Sequence, residues 1–268
     1  MEILSDSAAK IFGRDFLSLE TAKNVLAGHQ IEPVRPTVFT PEELLLDQAR
    51  ARGEFLIYRV NQSFDGKPLT IFQMVQMLQD KFEEQNWGKL LYAKVGNRWY
   101  QEEAFFMEDT PRPGLALVSK APVPGSLNRN YHQQTKCLSE LVGEIYEGRE
   151  VPVPYQEALK EWETERGRLE RILTSDRRGA GKGLIDLQIN QLFREKPVEV
   201  FQSIVVPFIA SQGKDRRLEN LYTWTNAVTS DGGLVGLGDF DRRGIYVADW
   251  DPNDGYPYLG VCSSHSYL

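Results

Sequence analysis

The feature that most limits how this 268-residue chain can fold is its last stretch, LYTWTNAVTSDGGLVGLGDFDRRGIYVADWDPNDGYPYLGVCSSHSYL at 221–268. Glycines at 232, 233, 236, 238, 244 and 260 permit tight turns, while Leu234, Val235, Phe240, Val247, Trp250 and Val261 supply the buried alternation of β-structure. Residue type is restricted as well. The preceding 220 residues hold 12 Lys and 23 Glu, a rate that predicts about eight in this stretch, yet it has neither, and Gln and Met are missing too. Charge persists in Asp231, Asp239, Asp241, Asp249, Asp251, Asp254, Arg242 and Arg243. Codons of the form NNY cannot encode Lys, Glu, Gln, Met or Trp, and of these only Trp occurs, as Trp224 and Trp250 in framework-like settings. Diversified codons account for the gap; so does a Gly-rich β-hairpin terminus, in which Lys and Glu are depleted anyway.

Length allows one large domain, or one domain with a small extension, around a sizeable core. A net charge of −7 excludes broad binding to nucleic acid or anionic membrane. No apolar run is long enough to span a bilayer, and the start, MEILSDSAAKIFGRDF, lacks a secretory pattern, so a cytoplasmic protein is expected. Cys137 and Cys262, the two cysteines, read as buried free thiols rather than a disulfide framework.

Along the chain, residues 1–30 have helical spacing with Ile11, Phe12, Phe16, Leu19, Val25 and Leu26 inward, followed by a proline-bearing extended connector to Thr40. Thr40-Pro41-Glu42-Glu43 predicts a helix to about Arg52, stopped by Gly53. A strand is expected at 55–60 and a helix from about Thr70 to Gln85 with Phe72, Val75, Met77 and Leu78 inward. Leu90–Val95 and Trp99-Tyr100 read as paired strands about Gly96-Asn97, and Leu115–Lys120 as another strand. Two charged helices follow at about 131–147 and 155–173, and the apolar run 184–211 leans helical.

Catalytic apparatus is hard to find in this sequence. His29, His132 and His265 share no ligand spacing, and there is no Gly-x-Ser-x-Gly elbow. Glu102, Glu103, Glu108 and Asp109 read as a solvated face. SDRRGAGKG at 175–183 has neither Walker spacing nor a preceding strand and reads as a flexible basic turn. Asp249, Asp251, Asn253 and Asp254 have oxygen chemistry suited to calcium, without EF-hand spacing.

The strings TWT at 223–225, DGGLV at 231–235 and LGVC at 259–262, with NRWYQEEAF at 97–105 and LALVSKAPVPGS at 115–126, resemble the target proteins of diversity-generating retroelements. The resemblance covers most of 90–268 and none of 1–50. It implies an α+β, C-type-lectin-like fold of the formylglycine-generating-enzyme-like subtype over 51–268, with 1–50 as a mostly helical N-terminal extension. In that family the rewritten side chains, here within about 223–268, form a ligand-binding surface. The positions expected to contact ligand are Asn226, Val228, Thr229, Asp239, Asp241, Arg242, Arg243, Tyr246, Asp249, Asp251, Asn253, Asp254, Tyr256, Tyr258, Ser264 and His265, with Trp224, Phe240 and Trp250 as frame. Tyr offers large contact area at low entropic cost, and Arg suits carboxylates. The expectation is a non-enzymatic display protein with no cofactor or fixed metal, whose partner is a protein or another macromolecule. A formylglycine-generating-type enzyme and a calcium-dependent lectin are the alternatives; the paired active-site cysteines of that enzyme family have no equivalent motif at Cys137 and Cys262.

Overall fold

A computed structural model describes residues 2–26, 43–63, 65–93 and 99–265, with side chains from residue 7 in the first segment and residue 45 in the second. The expected connector before Thr40, the start of its following helix at Pro41 and the Gly96-Asn97 turn lie outside the described residues. The chain is mixed α+β: α1 (Glu2–Phe12), β1 (Phe16–Leu17), α2 (Leu19–Leu26), α3 (Glu43–Ala51), β2 (Glu54–Arg59), α4 (Ile71–Glu84), α5 (Ala104–Met107), β3 (Gly114–Ser119) and α6 (Tyr131–Ile145) come first. Then follow α7 (Val153–Ile172), α8 (Arg177–Asp186), α9 (Gln188–Phe193), α10 (Pro197–Ala210), β4 (Tyr222–Val228), β5 (Leu234–Asp241), β6 (Gly244–Trp250), β7 (Leu259–Gly260) and β8 (Ser264–His265). Among the described residues no helix is long and apolar enough to cross a membrane.

Two four-stranded sheets form, ordered β1-β2-β3-β8 and β6-β5-β4-β7. β1 runs parallel to β2, β2 pairs antiparallel with β3, and β8 returns from the far end of the chain to pair with β3 through Leu117↔His265 and Val118↔Ser264. Because a strand's side chains alternate, β2 sends Phe55 and Ile57 into one core and Leu56 into a second; β5 likewise splits Val235 and Leu237 from Leu234. The segment expected as an N-terminal extension takes part in both cores, through Leu17, Ala22 and Leu26 in one and Ala8, Phe12, Leu46 and Ala49 in the other.

Local chemistry sets the helix ends. Asn130 and Gln133 form a reciprocal capping box at the start of α6, Thr70 caps α4, and Gly53 follows α3 with φ of +78°. α10 is mostly apolar and is buried from Pro197 to Ile209, with Glu199, Gln202 and Ser203 as its polar members. Its Pro207 has no N–H to give the carbonyl of Ser203; Arg217 Nη1 donates to that oxygen instead, at 3.3 Å.

Three expectations are corrected. Trp99–Glu102 is a 3-10 turn rather than a strand, and Leu91 makes only a single parallel bridge, to Ile245. The 175–183 segment is not a flexible turn: Asp176 accepts from Gly179 N–H at 2.9 Å and starts α8. Of the residues expected inward on α4, Leu78 is buried and Phe72 and Val75 pack against the core, but Met77 is 40 % exposed; Ile71, Met74 and Phe82 complete the inner stripe.

Candidate functional site

One face of the second sheet is built on glycine. Residues Tyr222, Gly238 and Tyr246 lie in one cross-strand row, and Trp224, Gly236 and Ala248 in the next. A Cβ on Gly236 would sit 2.4 Å from the Trp250 ring, so the bare central strand makes room for aromatic rings from its neighbours. These rings form a continuous chain. Tyr92 stacks on Tyr246 at 4.4 Å, Tyr246 meets Tyr222 at 6.1 Å, and Tyr222 meets Trp250 at 5.1 Å and Tyr258 at 5.8 Å. Tyr256 and Tyr258 lie parallel to within 2° at 5.4 Å. Trp224 and Tyr131 support the chain from below, fully buried, and Phe240 is buried too, as expected of frame residues.

Charged groups flank this aromatic strip. At one end Arg243 pairs with Asp241 at 2.7 Å, lies 3.6 Å from Asp239 and covers Tyr92 at 5.6 Å. Tyr222 Oη donates to Asp239 at 3.3 Å; burial and that neighbouring carboxylate both push the phenol above its ordinary pKa, so it stays a donor. At the other end the 251–254 loop is tied internally, Asp251 accepting from Asn253 N–H and Asp254 from Asp251 N–H. Arg177 pairs with Asp251 at 3.0 Å, and Asn253 Nδ2 donates to Leu173 O at 2.8 Å.

The segment is held by its main chain. Arg242 O accepts from Lys89 N–H, and Ile245 exchanges two bonds with Leu90 O and Tyr92 N–H. Pro252 O, Tyr256 O and Tyr258 O accept from Tyr131, Asn128 and Tyr222 N–H, and Asn226 N–H donates to Glu195 O. Gly88 lets the first of these contacts close, since a Cβ there would lie 2.2 Å from Arg242 O. All these anchors are indifferent to the side chain at 226, 242, 256 or 258.

The expected contact residues divide by place. Asp239, Asp241, Arg242, Arg243, Tyr246, Tyr256 and Tyr258 border the aromatic strip, and Asp251, Asn253 and Asp254 form the adjoining loop. Asn226, Val228 and Asp249 lie along the sheet toward the β4–β5 turn, where burial and then the nearby Asp231 and Glu103 raise the carboxyl of Asp249. Thr229, Ser264 and His265 are corrections to the expected surface. Thr229 closes the β4–β5 turn through Gly233 and is buried, while Ser264 and His265 are buried in the other sheet because β8 pairs with β3. Ser264 Oγ accepts there from Arg59 at 2.8 Å. Sequence reading missed Tyr222 and Tyr92. Tyr222 carried a signal, lying inside the restricted stretch; Tyr92 had none beyond its β-type surroundings.

Other chemistry has less to work with. Cys137 and Cys262 are free and buried, and burial raises both thiols, the reverse of an activated nucleophile. Among the described residues no three His, Cys, Asp or Glu side chains gather as a metal site. No protein-family model, curated protein or solved structure matches the chain.

Proposed function

We propose that this chain is a massively variable ligand-binding protein, the target of a diversity-generating retroelement, which recognises a protein or another macromolecule through side chains of 223–268 on a C-type-lectin-like fold. The observation that carries this reading is the main-chain anchoring of the 241–258 segment, because a scaffold pinned by carbonyls and amides tolerates rewritten side chains. The restriction to NNY-type residues between Trp224 and Trp250 and beyond supports it from the sequence. Support for the finer fold comes from the C-terminal strand that returns to β3, with α6 and α7 between them in the chain and a separate mixed sheet bearing the candidate face. The aromatic strip, flanked by acids and by Arg242 and Arg243, supplies the contact chemistry.

The test is in the DNA beside the gene. A near-copy of the codons for 226–266, differing where the copy has adenine and accompanied by a reverse transcriptase gene, is the expected finding. Without such a copy the Lys and Glu gap is ordinary hairpin composition, and the reading fails.

A further inference from the structure

Beside β1 and the 215–221 segment that leads into β4 lies a cavity of about 240 Å³. Leu17, Phe55, Pro207 and Leu218 give it an apolar wall. Arg217 lines it while only 5 % exposed, its guanidinium 4.8 Å above the Phe55 ring. Two nitrogens of Arg217 donate to main-chain carbonyls, the Ser203 oxygen freed by Pro207 and Ser119 O. Its Nε has no acceptor, and among the described residues no carboxylate pairs with it.

Carbonyls satisfy hydrogen bonds without neutralising charge, and a buried cation left uncompensated is costly. Arg216 lines the same cavity half-buried, with Glu219 and then Asp241 the carboxylates that act on it. It donates to Trp87 O at 3.0 Å and lies 4.7 Å from the Phe208 and Phe240 rings, with Nη1 buried and without an acceptor. The acids of the lining do not cancel this pair. Asp15 is taken by Lys120 at 2.7 Å, while Asp215 and Glu219 are exposed at the rim, where water screens them. Arg14, Lys120, Arg216 and Arg217 against those three carboxylates leave a single positive charge.

We propose that this cavity binds a small monoanion, a carboxylate carried on a compact apolar body such as one aromatic ring. The charge balance favours one negative charge over two, and the wall of Leu17, Phe55, Pro207 and Leu218 favours an apolar body over a bare phosphate. None of these residues belongs to the recognition face, so the site does not depend on the function proposed above.

The experiment is titration of the full chain with sodium benzoate by calorimetry, with benzamide and inorganic phosphate alongside. Benzoate is expected to bind saturably with a dissociation constant of about 1 mM, as suits a ligand of this size. Benzamide, with the same shape and no charge, is expected to bind at least about tenfold more weakly, and so is phosphate. Arg217→Met and Arg216→Gln are each expected to weaken benzoate at least about tenfold. Arg217→Met also strips two carbonyls of their donor and risks misfolding, so the half-exposed Arg216 carries the decisive variant. Tyr258→Ser is expected to leave benzoate affinity unchanged. Absence of saturable benzoate binding, equal binding of benzamide, preference for phosphate, or unchanged affinity in folded Arg216→Gln would overturn the proposal.

Discussion

Gly238 and Gly244 set the limit of what may be rewritten on the candidate face. Their φ angles are +157° and +113°, and an added Cβ would lie 2.0 Å from Leu221 O or 2.3 Å from the Leu91 carbonyl carbon. Both obstacles are main chain and cannot rotate away. Gly238→Ala and Gly244→Ala are therefore expected to cost about 2–4 kcal/mol each in denaturant unfolding. Arg242→Ala and Tyr258→Ser, at exposed positions whose main chain does the anchoring, are expected to stay within about 0.5 kcal/mol. A glycine substitution costing less than about 1 kcal/mol would mean that the strand crossing is looser than these contacts require. The glycines were legible in the sequence because alternation around a bare position has few other meanings. Ser264 and His265 were not: Ser-Ser-His-Ser looks like a polar tail, and only pairing with β3, far away in the chain, buries it.

Helix α8 shows how an element hides. Gly179, Gly181 and Gly183 weaken its intrinsic propensity by about 1 kcal/mol apiece, so 175–183 reads as a loop. Close packing compensates: a Cβ at 183 would lie 2.8 Å from Leu169 Cδ2 of α7, and one at 181 would lie 3.2 Å from Pro252 Cγ. The cap at Asp176 was in the sequence all along, but a cap without an apolar stripe is a weak signal. Asp176→Ala is expected to lower stability by about 1 kcal/mol, measured by urea unfolding, whereas a disordered turn would show no change. At α10 the expectation concerns pH. Burial alone would raise the Glu199 carboxyl, yet Arg59 at 3.8 Å and Arg112 at 2.8 Å outweigh it and hold it at about 2. The unfolded carboxyl titrates near 4.3, so this contribution, about 3 kcal/mol, is complete above that value and drains away as pH falls toward 2. His265 acts at higher pH, since burial holds its imidazole below the usual 6.5. Its neutral form is free of penalty above about 6.5, and stability falls on acidification below that as the unfolded chain takes up the proton. Unfolding measured from pH 8 to pH 3 is expected to weaken in two stages, and Glu199→Gln to remove the lower one while costing about 3–5 kcal/mol at pH 7.

Across the molecule, the segment proposed for diversification also contributes to both cores. Trp224, Leu234, Leu259 and Val261 pack into one, and Val235, Leu237, Phe240, Ile245, Val247 and Cys262 into the other. A display role demands that these positions stay fixed while their neighbours change; the alternation of the strands divides the fixed positions between the two cores, and most of the changing ones lie in the turns and loops that join the strands. The fixed set was visible in the sequence as β-type alternation; its division between two cores was not, because that depends on α10 and β8 closing from elsewhere in the chain. The separation is open to test with two proteins. In one, Arg242, Asn253, Tyr256 and Tyr258 are exchanged together for Ser, Asp, Asn and His, all within the NNY set. In the other, Trp224→Ala alone empties a fully buried site. A cavity of that kind costs about 3–5 kcal/mol, which at this chain length lowers the melting temperature by about 6–20 °C. The fourfold exchange, on main-chain anchors that survive it, is expected to move the melting temperature by less than about 5 °C and to leave unfolding a single transition in calorimetry. If the fourfold protein melts as low as Trp224→Ala, the tyrosines and their neighbours are holding the sheet together, and the face cannot be a surface free to vary.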